Sequence, residues 1–157
     1  MKQLILLAGL ALLTACNGSS EKNVAPYFGV NYFVTETDTP LTETIKAFDK
    51  NNDALTFTVI SQPSNGTVSL TSTGGFSYTP ATEYTGNDQF QVAVSDGEFT
   101  INGTVNIEIK VAMVSFLNYS RQAFMQNAEA PPLRVNGRTF IQDAMTPEDY
   151  ADLLNNP

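Results

Sequence analysis

Apolar and polar residues alternate along short stretches of the sequence between residues 25 and 113, and clusters of Gly, Pro, Asn, Asp and Ser separate these stretches. Phe57 and Val59, for example, alternate with threonines, and Phe90 and Val92 alternate with glutamines. An apolar residue at every second position gives a strand one face for a core and one for water. With a turn signal about every ten residues, the pattern predicts an antiparallel β-sandwich of about six or seven strands.

The turn signals also predict how the strands connect. Residues 63–66 (PSNG) separate the run that ends at Val59 from the run that begins at Val68, which predicts a hairpin. After the turn at residues 95–97, one long strand is predicted to place Val105, Ile107, Ile109, Val111 and Met113 on a single face. The predicted core consists of apolar residues on the inward faces: Phe57, Val59, Val68, Phe76, Tyr78, Phe90, Val92, Ile107 and Ile109.

The composition excludes several classes of function. The chain has no His, so it lacks a histidine relay and imidazole metal ligands, and its single Cys cannot form an internal disulfide or a thiolate zinc site. Its 16 acidic residues outnumber 8 basic ones, giving a net charge of −8, which disfavours a nucleic-acid partner. We therefore expect a protein that is not an enzyme and binds no small-molecule cofactor.

The first sixteen residues have the layout of an export signal. Lys2 precedes an apolar run over residues 4–13, which at about ten residues is shorter than a membrane span. The ending Leu-Thr-Ala-Cys resembles the lipobox of bacterial lipoproteins, which implies that residues 1–15 are a signal peptide and that Cys16 carries acyl chains such as palmitate. In such lipoproteins an aspartate after the cysteine favours retention at the inner membrane. This chain has Asn17 there, which implies the outer membrane, and the sequence does not say on which face the protein lies. The alternative is an ordinary secretory signal with an unrelated cysteine.

Residues 16–24 are mostly small and polar and are interpreted as a flexible linker between the lipid and the folded domain. The linker would connect the anchor at Cys16 to a sandwich over residues 25–113. The anchor would thus hold the protein to the bacterial cell envelope through the membrane, because several acyl chains together bind a bilayer durably.

Seven sequence segments follow one another in the order and spacing of a known family. They are Ala25-Pro26, residues 36–41 (ETDTPL), 47–57 (AFDKNNDALTF), 61–68 (SQPSNGTV), 75–80 (GFSYTP), 84–90 (YTGNDQF) and 94–97 (VSDG). Together they resemble the bacterial cadherin-like and Ig-like tandem repeats of adhesins, of the VCBS and tandem-95 kind. This resemblance implies an all-β, Greek-key Ig-like or cadherin-like sandwich that binds or spaces rather than catalyses. The chain holds one copy, whereas the family usually forms long arrays.

Asp49, Asn51 and Asp53 occupy alternate positions of a loop before a strand, a spacing that can direct several oxygens at one calcium ion. The resemblance to calcium-binding cadherin-like domains adds Glu36, early in the domain, and Asp96, in the Asp-Gly near its end. The alternative is a plain turn, since Asp and Asn side chains commonly bond to their own backbone.

Three tyrosines allow two interpretations. Tyr27, Tyr32 and Tyr84 would form an aromatic platform for a sugar if they were exposed together. Because the chain has no Trp, the sequence favours tyrosines buried in the sandwich.

Residues 114–157 form a C-terminal extension of different character. Residues 115–125 carry apolar side chains at helical spacing, residues 133–140 predict a small hairpin about Asn136-Gly137, and Thr146-Pro147 predicts a helix start. The extension either caps an open edge of the sandwich or docks a partner protein. In the second case Phe116, Phe124, Tyr150 and Leu153 are the predicted contact residues, and the tail's arginines are available to an acidic partner.

These observations predict a noncatalytic envelope lipoprotein whose domain mediates adhesion or binds a protein or carbohydrate, with calcium assisting. The alternative is a structural accessory subunit of an envelope complex that docks through its C-terminal extension.

Overall fold

The computed structural model describes residues 22–144 and 146–154. Eleven strands are found in these ranges: β1 (Tyr27–Phe28), β2 (Tyr32–Glu36), β3 (Leu41–Thr44), β4 (Ala47–Phe48), β5 (Thr56–Ser61), β6 (Gly66–Leu70), β7 (Gly75–Pro80), β8 (Gly86–Ser95), β9 (Thr100–Lys110), β10 (Ala112–Ser115) and β11 (Arg138–Ile141). Two helices, α1 (Phe116–Met125) and α2 (Ala151–Leu154), and a 3-10 helix at Pro147–Tyr150 complete the described elements. None of these helices has the length and apolar character needed to cross a membrane.

Two sheets form the sandwich and confirm the predicted all-β fold. The larger sheet has the order β2-β9-β8-β5 and the smaller sheet has the order β3-β7-β6. All pairings within them are antiparallel except that of β2 with β9, which is parallel. Consecutive strands such as β2 and β3 belong to different sheets, which is the Greek-key arrangement of Ig-like sandwiches. A short ribbon of β1 and β4 lies beside the main sheets.

The core lies between the two sheets, as the alternation predicts. Seven of the nine predicted core residues are buried, and Val68 packs against the cluster while Val59 is half-buried. Edge-to-face contacts link Phe33, Phe76 and Phe90, with ring centroids 5.0 and 5.5 Å apart along this series. Ile45, Val94 and Val105 are also buried in this core and were absent from the predicted set.

The predicted hairpin across residues 63–66 is wrong. β5 pairs with β8 in the larger sheet, whereas β6 pairs with β7 in the smaller one. Residues 62–65 therefore carry the chain from one sheet to the other. A hairpin and a pair of strands in different sheets have the same alternation of apolar and polar residues, because each strand needs one apolar face whichever sheet it joins.

The long final strand is also shorter than predicted. β9 buries Val105, Ile107 and Ile109, but it ends at Lys110, and the phase of burial changes at Val111. Ala112 is buried, while Val111 and Met113, predicted to share the inward face, are exposed. The change of phase redirects the chain from the sandwich into the C-terminal extension.

The extension is built from β10, α1 and β11 rather than from a helix and a hairpin. Ser115 caps α1 by accepting a hydrogen bond from the Asn118 N–H, so the predicted first helix is confirmed. The hairpin predicted about Asn136-Gly137 is wrong, because β11 runs parallel to β10, on the far side of the α1 crossover. The predicted second helix start is confirmed at Pro147–Tyr150, where the Thr146 N–H donates to Asp149 Oδ2 at 3.0 Å.

Two ion pairs, a hydrogen bond from the Asn136 amide to Glu83 Oε2 at 3.1 Å and one close approach join the extension to the sandwich. Asp38 accepts Arg138 at 2.7 Å and Arg134 at 3.2 Å. Gly137, at φ +70°, lies so close to Thr37 that an added Cβ would sit 2.9 Å from the threonine Oγ1. The Ala112 N–H donates to the Gly137 carbonyl at 2.9 Å. The extension thus covers the end of the sandwich where β2 and β9 finish.

Candidate functional site

The predicted lipidation residue Cys16 and the predicted signal peptide lie outside the described residues. The described chain begins at Lys22 and contacts the sandwich at once. The Val24 N–H donates to Asn51 Oδ1 at 2.9 Å, and the Asn23 amide donates to Asp96 Oδ2 at 3.2 Å and to Glu98 Oε2 at 3.1 Å. We call this set of contacts the N-terminal junction.

The predicted calcium loop is a compact turn. Asp49 Oδ1 accepts the backbone N–H groups of Asn51 at 2.7 Å and Asp53 at 3.1 Å, as an Asp that organises its own turn does. Asn52 has a positive φ of 62° within this turn. The geometry of the loop therefore agrees with the turn interpretation, and it leaves Asp49 Oδ2 free of these bonds.

Asp96 lies at the same junction and holds the β8–β9 turn. Its Oδ1 accepts the N–H groups of Glu98 at 2.8 Å and Phe99 at 2.6 Å. The Phe99 N–H, followed by the Glu98 N–H and the Asn23 amide, keeps the pKa of Asp96 below its ordinary value. Residues 23–24 thus connect the Asp49 loop to the Asp96 turn. The sequence pattern did not identify Asn23 or Glu98 as members of this group.

The junction supplies only part of a calcium site. Asp49 Oδ2 and Asn23 Oδ1 are buried and have no hydrogen-bond partner among the described residues. Calcium takes six to eight oxygen ligands, whereas the described ranges contain no group of three or more acidic, His or Cys side chains placed to hold one metal ion. Any ion here would therefore need water or further donors to complete its shell.

Glu36 lies far from the other predicted calcium ligands. It is the register partner of Lys110 at the end of β9, whereas Asp96 precedes Thr100 at the start of the same strand. The ten residue steps from Thr100 to Lys110 span about 30 Å at the rise of a β-strand. The fold consequently brings Asp49, Asn51, Asp53 and Asp96 to one end of the sandwich and Glu36 to the other.

The three tyrosines are separate, and two of them are exposed. Tyr27 is 57% exposed and packs on Phe48 with ring centroids 5.6 Å apart. Tyr32 is 52% exposed and its hydroxyl donates to Glu108, which raises the pKa of Tyr32. Tyr84 is half-buried and donates to the Asn87 carbonyl at 2.9 Å. The interpretation of buried tyrosines is therefore wrong for Tyr27 and Tyr32.

A polar cavity of about 380 Å³ lies on the outer face of the larger sheet. Asn106 of β9 stands in register with Tyr32 of β2 on one side and with Gln89 of β8 on the other. Asn87 continues the β8 side, and Asn65 belongs to the loop that faces it. We call this cavity the amide groove.

The four residues predicted to contact a partner differ in their availability. Phe116 packs edge-to-face on Phe140 at 6.2 Å, the Tyr150 hydroxyl bonds to Ser120 Oγ at 2.6 Å, and Leu153 is buried. Phe124, by contrast, is 63% exposed. Phe116 and Tyr150 thus make contacts within the extension, although Phe116 is still 36% exposed, and Phe124 is the most open of the four to a partner.

A groove of about 860 Å³ separates α1 from residues 131–138. Its apolar wall includes Met125 and Leu133, and three arginines of the extension, Arg121, Arg134 and Arg138, also line it. Arg121 bonds to Asp152, while Arg134 and Arg138 both pair with Asp38. The two arginine pairs with Asp38 thus connect this wall of the groove to the sandwich.

The sequence pattern of the bacterial Ig domain family matches residues 23–108. No curated protein matches the chain. Among solved structures, human protocadherin-24 EC1-2 is 19% identical, with 60% of this chain and 52% of that chain covered and a TM-score of 0.46. An endo-fucoidan hydrolase from glycoside hydrolase family 107 is 20% identical, with 54% and 13% covered and a TM-score of 0.42. The chain thus spans about half of one and an eighth of the other, and neither likeness carries an argument about function.

Proposed function

Since the chain belongs to the bacterial Ig domain family, we propose that it is a noncatalytic lipoprotein of the bacterial cell envelope whose Ig-like domain serves adhesion or recognition. One observation carries this proposal. Asn23 and Val24 are bonded to loops at one end of the sandwich, so a tether that reaches Cys16 leaves from that end. The extension, at the opposite end of the sandwich, is then farthest from the anchor, and the outer faces of both sheets lie between the two ends, where a binding domain on a lipid tether can meet a ligand.

The anchor is tested by labelling and fractionation. We expect the full chain, expressed in a bacterial host with an alkyne-tagged palmitate, to incorporate the label and to sediment with the outer membrane. The variant Cys16→Ser should lose the label and leave the membrane fraction, because a thiol is required for the first acyl chain. Label retained in Cys16→Ser, or a wild-type chain without label, would contradict the lipid anchor.

Calcium enters the proposal as an ion that stiffens the N-terminal junction. The two buried oxygens without a partner, Asp49 Oδ2 and Asn23 Oδ1, support this role, and water would supply the remaining ligands. An ion bound to the native state raises the midpoint of thermal unfolding. We expect calcium to raise the wild-type midpoint relative to a chelator, and we expect Asp49→Ala to abolish this increment.

Glu36→Ala is the matched control for Asp49→Ala, because it removes one predicted ligand at the opposite end of the sandwich. Only the increment between calcium and chelator is compared, since Asp49→Ala also weakens the turn that its Oδ1 holds. Loss of the increment in Glu36→Ala, or no increment in the wild type, would rule out calcium at the junction and leave a turn.

A second candidate function is that of an accessory subunit that docks through the extension. The exposed Phe124 and Met125 beside the groove of α1 favour it, because exposed apolar side chains at a groove mark contact surfaces. A photo-crosslinking residue at position 124 should then trap another envelope protein in living cells. The same residue at position 99, a partly exposed phenylalanine of the β8–β9 turn, serves as the control. Adducts at neither position would favour the first function.

A further inference from the structure

The floor of the amide groove offers hydrogen-bonding groups that the fold itself does not use. The side chains of Asn87, Gln89 and Asn106 are exposed, and the described part of the chain supplies no hydrogen-bond partner for their amides. A carboxamide both donates and accepts hydrogen bonds. A hydroxyl group also does both, so an amide in the groove can pair with a hydroxyl of a ligand in either direction. A charged side chain in the same place could only donate or only accept.

One wall of the groove is an aromatic ring in a fixed position. Tyr32 of β2 faces Asn106 of β9 in register, and its hydroxyl bonds to Glu108, two residues farther along β9. This bond restrains the ring although about half of the residue is exposed. An amphipathic ring that is held in place presents an apolar face at low cost in conformational entropy.

The opposite wall is also held rigidly. Asp88 lies beneath it, buried, and accepts the N–H groups of Ser64 at 3.0 Å and Asn65 at 2.9 Å. β5 ends at Ser61, so the loop of residues 62–65, and not β5, lies beside β8 at the groove. Both walls are therefore already ordered before a ligand binds, and binding has no entropy cost for fixing them.

The charge of the groove narrows the class of ligand. Its lining contains no Lys or Arg, and Asp88, its acid, is engaged beneath the surface. Anionic polymers would meet no positive partner there and would be repelled by a chain of net charge −8. Protein contacts usually require an apolar centre, but Ile107, the one aliphatic residue of the lining, is buried.

We propose that the amide groove binds a neutral polysaccharide, with a sugar ring stacked on Tyr32 and hydroxyl groups bonded to Asn87, Gln89 and Asn106. The inference rests on the proposed function, because it names the chemical class that the binding domain recognises. The volume of about 380 Å³ is within the range of pockets that bind small ligands, which suits a short stretch of a longer chain.

Affinity electrophoresis of the full chain in mild detergent tests the proposal. Native gels contain one neutral polymer each, from laminarin, dextran, galactomannan and xyloglucan, and a parallel gel contains the acidic polymer alginate. We expect at least one neutral polymer to retard the protein and alginate to leave it unretarded. Tyr32→Ala and Asn106→Ala should each weaken the retarding interaction by about tenfold or more, a change of about 1.4 kcal/mol.

Tyr27→Ala is the matched control, because Tyr27 is equally exposed but packs on Phe48 outside the groove. Tyr32→Phe keeps the ring but removes its bond to Glu108, so it should lose less affinity than Tyr32→Ala. Thermal unfolding of each variant verifies that the fold is intact. No retardation by any of the neutral polymers, equal retardation by alginate, or equal affinity of Tyr32→Ala and Tyr27→Ala would overturn the proposal. A protein ligand lost in Tyr32→Ala without polysaccharide binding would overturn it too, yet would leave the proposed recognition function standing.

Discussion

A buried carboxylate connects the loop of residues 62–65 to the larger sheet. Asp88 accepts four hydrogen bonds, from the N–H groups of Ser64, Asn65 and Gln89 and from the Tyr78 hydroxyl, at 2.9 to 3.0 Å. An unsatisfied buried donor costs about 1–3 kcal/mol. Allowing for water that enters the space left by the side chain, we expect Asp88→Ala to lower the free energy of unfolding by about 3 kcal/mol, measured by urea denaturation.

Tyr78→Phe is the control for that substitution, because it removes one of the four donors and keeps the carboxylate. We expect a smaller loss for it, of about 1 kcal/mol. If Asp88→Ala were no more destabilising than Tyr78→Phe, the carboxylate would not organise the loop, and the wall of the amide groove would rest on other contacts.

Asp38 makes the contact between sandwich and extension sensitive to pH. The Glu83 N–H, assisted by Arg138 and Arg134, holds the pKa of Asp38 below its ordinary value of 3.8. A carboxyl whose pKa is lower in the folded state stabilises that state above the unfolded pKa, and this stabilisation is lost as the pH falls through the folded pKa. We expect the urea midpoint of the wild type to fall more steeply than that of Asp38→Asn below about pH 4. Parallel pH profiles would show that Asp38 makes no such contribution.

At the scale of elements, Gly137 decides whether β11 can lie beside β10. Its φ of +70° is unfavourable for an L side chain, and a Cβ there would sit 2.9 Å from Thr37 Oγ1. Since Thr37 is buried, it has little room to move. We expect Gly137→Ala to cost about 1–3 kcal/mol and to make the extension the first site of cleavage in limited proteolysis.

Gly97→Ala serves as the comparison, because Gly97 also has a positive φ, of 100°, but no atom lies within 4 Å of the added Cβ. It should strain the β8–β9 turn and leave the extension resistant to protease. Equal cleavage of the extension in both variants would indicate that the contact with Thr37 does not hold β11 in place.

The alternation of residues predicted the strands well, but it did not predict their partners. Phe57 and Val68 face a core in either arrangement, so the same pattern fits a hairpin and a pair of strands in different sheets. The pairing of β10 with β11 escaped prediction for a related reason. Asn136-Gly137 is a strong local signal for a hairpin, yet β11 pairs with a strand that precedes α1, and a contact so distant in sequence leaves no local mark.

The arrangement of the whole molecule explains why the candidate sites were only partly predictable. Glu36 and Asp96 flank opposite ends of β9, which the order of motifs along the chain does not reveal. The amide groove is formed by β2, β8, β9 and a loop, which are distant from one another in sequence. In the sequence alone, each of its amide side chains therefore looks like an ordinary surface residue. Only the register of the parallel β2–β9 pair places Tyr32 opposite Asn106.

The extension is the largest part of the described chain outside the family match, and its removal tests whether it belongs to the fold. A chain that ends at Val111 would lose the Arg138 and Arg134 pairs of Asp38 and the contact of Gly137 with Thr37. An ion pair with both partners largely shielded from water is worth more than a surface pair, and Thr37 would become exposed. We expect the truncated chain to unfold cooperatively, with a thermal midpoint lower by about 4–8 °C for a loss near 1 kcal/mol.

Phe124→Ser in the full chain is the control for the truncation, because Phe124 is exposed and should leave the midpoint unchanged. A lower midpoint in the truncated chain alone would make the extension a structural cap that holds α1, with its exposed Phe124, rigidly against the sandwich. An unchanged midpoint would instead show that the sandwich does not need the extension. The Asp38 contacts would then be weak enough to be exchanged for an acidic partner of Arg134 and Arg138, which would favour the accessory-subunit function over simple capping.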